Sequence, residues 1–221
     1  MEVDKPKTVF VCGLIGAGKT SFLQFLKDSS DGFAQTLDVI DESLHRWQNL
    51  AGFNLFGNFY QNPNVYAFEF QSLVQLTMME AHVCPLRPNK AIKVIERSAY
   101  SAQHCFVRAL FELDALSHSQ YLVLRNWFDF LVETNDLKPS VVVYLDARSD
   151  SLLDRIRERD RPGEESITIE YLEHLRKCYS DLLDSEPFIS TPRILINTDV
   201  NFCEIQSQYN YALELLKTYL Y

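Results

Sequence analysis

The sequence predicts an α/β fold in which a parallel, five-stranded sheet is covered by helices on both faces. Short apolar runs alternate along the chain with segments that have helical periodicity, which is typical of this fold class. Polar residues also follow directly after the first three of these runs, at the strand ends where such sheets bind ligands. The 221 residues, of which 47% are hydrophobic, suit one domain spanning residues 1–221.

The predicted strands and helices follow one another in a regular order. The strands are the apolar runs 9–12, 36–40, 91–95, 141–145 and 193–196. The fourth run is β-branched and shows no alternation, as expected for a strand that is covered on both faces. Helices are predicted directly after the first strand and over residues 65–83, 100–116, 121–134, 151–159, 169–183 and 205–220. Residues 52–63, rich in Asn and Phe, predict a loop or a short helix.

The first strand leads into the stretch Gly13-Leu-Ile-Gly-Ala-Gly-Lys-Thr20, which has the spacing GxxxxGK[ST]. Glycines allow backbone N–H groups to turn inward and surround phosphate oxygens, and the following helix adds positive charge at its N-terminus. Lys19 can reach the β- and γ-phosphates, and the Thr20 hydroxyl can bind Mg²⁺. The predicted phosphate-binding residues are Gly13, Gly16, Ala17, Gly18, Lys19 and Thr20. The strand–loop–helix context disfavours a chance glycine turn.

Composition excludes several other classes of protein. The net charge of −9 argues against a nucleic-acid partner, which would require a basic surface. No apolar run approaches the length of a membrane span, so we expect no membrane partner. The N-terminus has neither signal- nor transit-peptide character, which favours a cytoplasmic location. The five cysteines are widely spaced without a CxxC, and the five histidines form no HxxxH pair, so we expect reduced thiols and no zinc site.

A phosphate-binding loop alone does not separate a kinase from a GTPase or an ATP-driven motor. The guanine-recognition motif Asn-Lys-x-Asp is absent, since the one Asn-Lys pair, Asn89-Lys90, is followed by Ala and Ile. The third strand ends in Glu96, which we rank above Asp146 as the carboxylate near the metal. Arginines recur at alternate positions from 155 to 161. This spacing fits a helix end and the loop beyond it better than one solvated helix face, and it favours a lid for phosphoryl transfer.

With these motifs the chain resembles the cellular-type deoxynucleoside kinase family, and most of all its thymidine-accepting branch. The resemblance covers nearly the whole chain. It is carried by Glu42-Ser-Leu-His-Arg-Trp47, by Phe70-Gln71, by Glu96-Arg97-Ser98 and by the arginine-rich segment that ends in Glu164-Glu165. Ser43 stands where the family usually has proline, so the turn after Glu42 is less constrained.

The resemblance implies an ATP-dependent phosphorylation of the 5′-hydroxyl of a deoxynucleoside, with Mg²⁺ as cofactor. Glu42 would act as general base, and Arg97 would stabilise phosphate charge and hold the hydroxyl. Thr20 and Glu96 would hold the metal, the latter through water. Contacts to ATP would also come from Arg157, Arg159 and Arg161 in the lid and from Asp199, Asn201 and Phe202 after the last strand.

The resemblance also implies a nucleoside pocket. Its residues would be Ile15, Glu42, Trp47, Tyr60, Phe70, Gln71, Val74, Met78, Arg97, Ala102, Phe106 and Glu164. The Gln71 amide offers one donor group and one acceptor, so it can pair with a base edge. Tyr60 would bind the sugar 3′-hydroxyl together with Glu164, although the neighbouring Glu165 stays open as the partner. Uncharged Met78 and Ala102 favour pyrimidines, thymidine and deoxycytidine first.

Two alternatives stay open from the sequence. A nucleoside monophosphate kinase would share the loop and the lid. It would also require a further arginine site for the acceptor phosphate, and the sequence shows no clear one besides Arg97. A non-catalytic, nucleotide-binding structural subunit is disfavoured by the intact Gly18-Lys19-Thr20, Glu42 and Arg97. The family resemblance also implies a homodimer, formed through residues 66–81 and 122–133.

Overall fold

The computed structural model describes residues 6–221 and contains a five-stranded sheet whose strands are all parallel. The strands are β1 (Lys7–Gly13), β2 (Leu37–Ile40), β3 (Ile92–Glu96), β4 (Val141–Asp146) and β5 (Arg193–Asn197). Their order across the sheet is β2-β3-β1-β4-β5. The predicted fold class and all five predicted strands are confirmed.

Helices connect the strands. They are α1 (Lys19–Asp28), α2 (Leu44–Gln48), α3 (Leu55–Gln61), α4 (Pro63–Val83), α5 (Ala99–Ser101), α6 (Arg108–Glu112), α7 (His118–Thr134), α8 (Ser149–Arg159), α9 (Ile169–Leu183) and α10 (Phe202–Leu220). Single 3₁₀ turns lie at Ala34–Thr36 and Glu164–Ser166, and a π-helical segment covers Ala102–Val107. Within residues 6–221, none of these helices combines the length and the apolar character that a membrane crossing requires.

The helices form one layer on each face of the sheet. On one face α1 packs against α10, and the rings of Phe22 and Tyr209 meet edge to face at 5.1 Å between their centroids. On the other face, Phe10 of β1 contacts Tyr100 of α5, and Tyr144 of β4 contacts Tyr179 of α9. Strand β4 is almost fully buried between these layers, which explains why its sequence is a continuous apolar run. The edge strand β5 instead alternates between buried and exposed residues.

One predicted helix differs from the structure. The segment predicted as a single helix over residues 100–116 is divided into α5, the π-helical Ala102–Val107 and α6, which ends at Glu112. A π turn holds one more residue than an α turn, so it rotates the side chains that follow it. The periodicity of apolar residues is too coarse to reveal one inserted residue, and the sequence therefore predicted an uninterrupted helix.

The strand register brings the sequence motifs to one edge of the sheet. Val11 of β1 is opposite Glu96 at the end of β3, and Gly13 is opposite Leu145 near the end of β4. The glycine-rich loop, the Glu96-Arg97 pair and the turn after β2 that contains Glu42 are therefore neighbours. This is the carboxyl edge, where parallel sheets bind their ligands.

Candidate active site

The loop between β1 and α1 has the backbone shape of a phosphate cradle. Gly13, Gly16 and Gly18 all have positive φ angles, of 146°, 81° and 84°. A Cβ atom at Gly13 would lie 2.5 Å from the carbonyl oxygen of Leu145, so only glycine fits between β1 and β4 at this point. The loop is followed directly by the N-terminus of α1, where backbone N–H groups are free to bind an anion.

Lys19 lies beneath this loop and is only 5% exposed. Its Nζ donates to the carbonyl oxygens of Gly13 at 3.1 Å and Leu14 at 2.7 Å. Burial, followed by the positive charge of Arg97, lowers the pKa of Lys19 to about 7. A phosphate group near Nζ would oppose both effects, so the site favours a negatively charged ligand.

Thr20 and Glu96 are in contact, and both line the same cleft. The Thr20 hydroxyl donates to Glu96 Oε1 at 3.3 Å. Burial, followed by the negative charge of Glu42, raises the pKa of Glu96, although the positive charges of Lys19 and Arg97 oppose this shift. A hydroxyl and a carboxylate are hard oxygen donors of the kind that Mg²⁺ prefers, so this pair fits the predicted metal ion.

The cleft above the loop has a volume of about 670 Å³ and contains most of the predicted lid. Arg159 and Arg161 line it, whereas Arg157 does not. The Arg157 side chain is 70% exposed, and its nearest charged partner is Asp154, at 3.9 Å. The last turn of α8 directs this residue away from the cleft, so the contact of Arg157 with ATP stays a prediction. Arg155 lines the cleft instead.

The segment after β5 contributes fewer side chains than predicted. Phe202 lines the cleft, as do Thr198 and Val200. Phe202 is 77% exposed. Asp199 accepts a hydrogen bond from the backbone N–H of Arg148, and Asn201 Oδ1 caps α10 by accepting from Glu204 N–H at 3.0 Å. Neither residue lines the cleft. Both side chains stabilise the local backbone here, and their contacts with ATP stay predictions.

Glu42 and Arg97, the two predicted catalytic residues, form a charged pair. The Arg97 Nε atom lies 2.6 Å from Glu42 Oε1, although its N–H is not aligned for a hydrogen bond. Arg97 is the first residue after β3 and has a left-handed backbone, with φ of 64°. Its guanidinium lies 4.5 Å from the centroid of the Phe106 ring, and its Nη1 is buried without a hydrogen-bond partner in the part of the chain that the structure describes.

The electrostatics of Arg97 follow from this setting. Burial opposes a charged guanidinium, but the negative charge of Glu42, and further groups after it, outweigh burial and hold the pKa of Arg97 above its usual value. Arg97 is thus a permanently positive group with a donor that the described residues leave unused. An anion or a hydroxyl bound here would satisfy it.

A second cavity lies behind this pair and is much narrower, at about 40 Å³. It gathers the predicted residues Glu42, Trp47, Tyr60, Phe70, Gln71, Val74, Met78, Arg97, Ala102 and Phe106. Gln71 is 2% exposed, and its Oε1 has no hydrogen-bond partner within residues 6–221. A buried amide oxygen without a partner is costly in a folded protein, so this atom indicates a missing ligand.

Two predicted pocket residues lie outside the lining of this cavity. Ile15 is buried in the apolar core, where the phosphate-binding loop packs. Glu164 is 4% exposed and binds Arg159 at 2.6 Å and Arg161 at 3.3 Å. The negative charge of Glu164 still acts on Tyr60. Burial is the main cause that raises the pKa of the Tyr60 hydroxyl, and the charges of Tyr171 and Glu164 add to it.

Several lining residues were missed in the sequence. They are Phe56, Phe59, Ser98, Ser101 and Tyr171. Phe56 and Phe59 belong to α3, a segment for which the sequence predicted only a loop or a short helix. Their spacing of three residues was the available signal, since it places both rings on one helical face. Tyr171 lies in α9, where an apolar periodicity gave no reason to single it out.

Comparison with known proteins decides the family. The family model for deoxynucleoside kinases matches residues 9–220. The chain belongs to the deoxynucleoside kinase family. It is 30% identical over 200 residues to human mitochondrial thymidine kinase 2, covering 90% of this chain and 73% of that protein. It is also 26% identical over 245 residues to deoxycytidine kinase 1 of Xenopus laevis, covering 98% of this chain and 91% of that one.

Family membership gives the two cavities their meaning. This deoxynucleoside kinase transfers a phosphoryl group from ATP to a hydroxyl of a deoxynucleoside, a reaction of nucleotide salvage. The kinase has a wide charged cleft at its phosphate-binding loop and a narrow aromatic cavity behind it. Glu42 lines both. The carboxylate is therefore at the boundary where a group from one cavity can reach a group in the other.

Proposed function

We propose that this kinase phosphorylates the 5′-hydroxyl of pyrimidine deoxynucleosides, with thymidine and deoxycytidine as preferred substrates. The observation that supports this most strongly is the orphaned Gln71 Oε1 in a cavity that the uncharged Val74, Met78 and Ala102 also line. Together these three residues are called the deep wall. The names of the relatives, thymidine kinase 2 and deoxycytidine kinase, agree with this substrate class.

In the proposed mechanism, Glu42 accepts the proton of the 5′-hydroxyl while that oxygen attacks the γ-phosphorus of ATP and ADP leaves. Its position at the meeting of the two cavities supports this role, because the attacking hydroxyl must sit there. Arg97 holds the hydroxyl and neutralises charge on the phosphoryl group through its unpaired Nη1. Lys19, Arg155, Arg159 and Arg161 provide positive charge around the phosphates.

We propose that Thr20 and Glu96 hold the Mg²⁺ ion. Bound there, the metal would neutralise charge on the phosphates during transfer. The contact between the Thr20 hydroxyl and Glu96 Oε1 supports the assignment, because it puts two oxygen donors within reach of one cation. Both side chains line the cleft on the phosphate side of Glu42.

The proposed preference for pyrimidines rests on three side chains. Val74, Met78 and Ala102 line the cavity together and are all nearly inaccessible to solvent. Apolar walls suit the methyl group of thymine, while Gln71 offers both a donor and an acceptor to the Watson–Crick edge of a pyrimidine. The sugar would lie between this wall and Tyr60, with Glu164 rather than Glu165 as second partner. Glu165 accepts a hydrogen bond from Gly163 N–H, whereas the negative charge of Glu164 acts on Tyr60 and helps to raise the pKa of its hydroxyl.

We also propose a homodimer formed through α4 and α7. These helices expose large apolar side chains, among them Leu76 at 53%, Trp127 at 58% and Phe130 at 55%. Such a surface is unfavourable in water and is typical of a subunit interface. Sedimentation of the wild-type chain and of Trp127→Lys tests the dimer, since only the variant should sediment as a monomer.

The five free cysteines support a reducing, cytoplasmic compartment, which imaging of the tagged chain would test.

The first experiment measures ADP release with ATP and Mg²⁺ for each of the four deoxynucleosides and for dTMP. We expect turnover of thymidine and deoxycytidine, weak turnover of purines and almost none of dTMP. Activity on dTMP alone would instead indicate a nucleoside monophosphate kinase. Strong purine turnover would contradict the pocket assignment while leaving the family unchanged.

The double variant Met78→Arg with Ala102→Asp tests the pocket directly. It introduces a charged pair at the deep wall, which we expect to raise the purine-to-thymidine ratio of kcat/KM by about tenfold. The single variants serve as controls, since each leaves one buried charge without a partner and should lose activity on all substrates. An unchanged ratio in a folded double variant would show that these residues do not face the base.

A further inference from the structure

Outside both cavities, three potential metal ligands meet between α6 and α9. They are Glu112, the last residue of α6, and His174 and Cys178, which are four residues apart on α9 and so share one helical face. One ligand atom of each lies within 4.8 Å of the other two. We propose that these residues form a zinc-binding site that joins α6 to α9.

The distances are close to those that zinc requires. His174 Nε2 lies 2.8 Å from Glu112 Oε2. Tetrahedral zinc, with bonds of about 2.0–2.3 Å, separates its ligand atoms by roughly 3.3–3.8 Å. A zinc ion would therefore move these two atoms apart by less than about 1 Å and draw the Cys178 sulfur slightly inward.

The ligand atoms are available and oriented. His174 Nε2 is buried, and among the described residues it makes no well-aligned hydrogen bond; its close neighbour is Glu112 Oε2, which a metal ion would also bind. Glu112 Oε1 accepts from Arg108 Nε at 2.7 Å, which fixes the carboxylate and leaves Oε2 directed at the histidine. Arg108 is itself held by Asp181 at 2.7 Å. Such outer contacts commonly orient the ligands of a metal.

The charges also balance. With Cys178 as thiolate, Glu112 and Asp181 bring the negative charges to three, while Arg108 and a zinc ion provide three positive charges. Binding breaks the S–H bond of Cys178, forms a zinc–sulfur bond and releases the proton to water. The nitrogen, sulfur and oxygen donors suit zinc and not magnesium. The side chains of His174 and Glu112 are 25% and 34% exposed, which gives the ion an entry route and its fourth position to water.

This site contradicts the expectation of no zinc site. That expectation rested on the absence of CxxC and HxxxH pairs, but the chain does contain His-x-x-x-Cys, and the fold adds Glu112 from another helix. The metal would lie behind the wall of the nucleoside cavity, since α9 also carries Tyr171 and α6 continues the segment that carries Phe106. Its effect would be to stabilise this wall and not to take part in phosphoryl transfer.

Titration of the metal-free, nucleotide-free chain with Zn²⁺ alone, in competition with a chromophoric chelator, tests the proposal. We expect one zinc ion per chain and a rise in Tm of about 5–10 °C at a hundredfold excess over Kd. His174→Ala should weaken binding by more than the roughly 10–100-fold that loss of an outer contact costs. Cys203→Ser, which changes an exposed thiol, is the matched control and should bind zinc like the wild type.

Cobalt gives a second test that needs no change at the buried Cys178. Co²⁺ bound to the wild type and to Cys203→Ser should show thiolate-to-cobalt charge-transfer absorption, and His174→Ala should lose it at the same Co²⁺ concentration. Absence of zinc binding would overturn the proposal. So would unchanged affinity in His174→Ala, or a loss of binding and absorption in Cys203→Ser.

Discussion

The two cavities that meet at Glu42 differ in nearly every physical respect. The phosphate side is a wide cleft of about 670 Å³ lined by Lys19 and three arginines. The nucleoside side has about 40 Å³ of free space and is lined mostly by aromatic and aliphatic side chains. The first can bind any polyphosphate through charge and backbone N–H groups. The second can select, because its single orphaned amide oxygen is paired only by a ligand with a matching donor.

The largest expected effect on the rate comes from removing the Glu42 carboxylate, which lines both cavities. Glu42→Gln keeps the size and polarity of the side chain but not a base, so kcat should fall by roughly 10²-fold or more while nucleoside binding is kept. Single-turnover kinetics and a nucleoside Kd measure the two quantities. Glu80→Gln, an exposed carboxylate paired with Arg46, is the control and should change kcat by less than about twofold. Unchanged turnover in Glu42→Gln would remove Glu42 from the mechanism.

A comparison of two buried glutamines sharpens the contrast on the nucleoside side. Gln71 has an orphaned oxygen, whereas Gln75 donates to Gln103 at 2.9 Å and to the Leu124 carbonyl oxygen at 3.3 Å. Gln71→Leu should lower kcat/KM for thymidine by about 10–100-fold with little loss of stability. Gln75→Leu should do the reverse, lowering the free energy of unfolding by about 1–3 kcal/mol. Thermal unfolding and steady-state kinetics on both variants would separate them, and equal effects would contradict the distinction.

On the phosphate side, Arg159 and Arg157 of the lid should differ in how much each contributes to kcat. Arg159 lines the cleft and binds Glu164, so Arg159→Ala should lower kcat by about tenfold. Arg157 is exposed and faces away, and Arg157→Ala should stay within about twofold of the wild type. The same ADP-release assay measures both. A larger loss in Arg157→Ala would mean that α8 turns when ATP binds.

The smallest expected effect is the dependence of ATP affinity on pH. Lys19 has a pKa of about 7 without ligand, so above this pH it is largely neutral in the free enzyme. Phosphates raise this pKa, and ATP binding must then take up a proton. The affinity for ATP should therefore fall several-fold, and at most about tenfold, for each pH unit above about 7.5. Calorimetry in buffers of different ionisation enthalpy would detect the proton, and Lys19→Arg, which stays charged, should abolish its uptake.

The same contrast explains how much the sequence could predict. The phosphate loop is one continuous motif, so its position between β1 and α1 could be predicted from the sequence alone. The nucleoside cavity collects side chains from α3, α4, α9 and the π-helical segment, so its lining depends on tertiary packing. Gln71 and Met78 were predicted through the family resemblance, but Phe59 and Tyr171 were not. The direction of Arg157 depends on where α8 ends, which the charge pattern alone does not fix.

The left-handed backbone of Arg97 carries a consequence for engineering this enzyme. An arginine with φ of 64° costs roughly 1 kcal/mol relative to glycine, and its buried, unpaired Nη1 adds to that cost. Glycine at this position would relieve both, but it would leave the largely buried Glu42 carboxylate without its positive partner, and breaking such a pair costs about 3–5 kcal/mol. A screen for heat-resistant variants should therefore retain Arg97 wherever Glu42 is present. For a protein engineer the two residues form one unit, to be kept or replaced together.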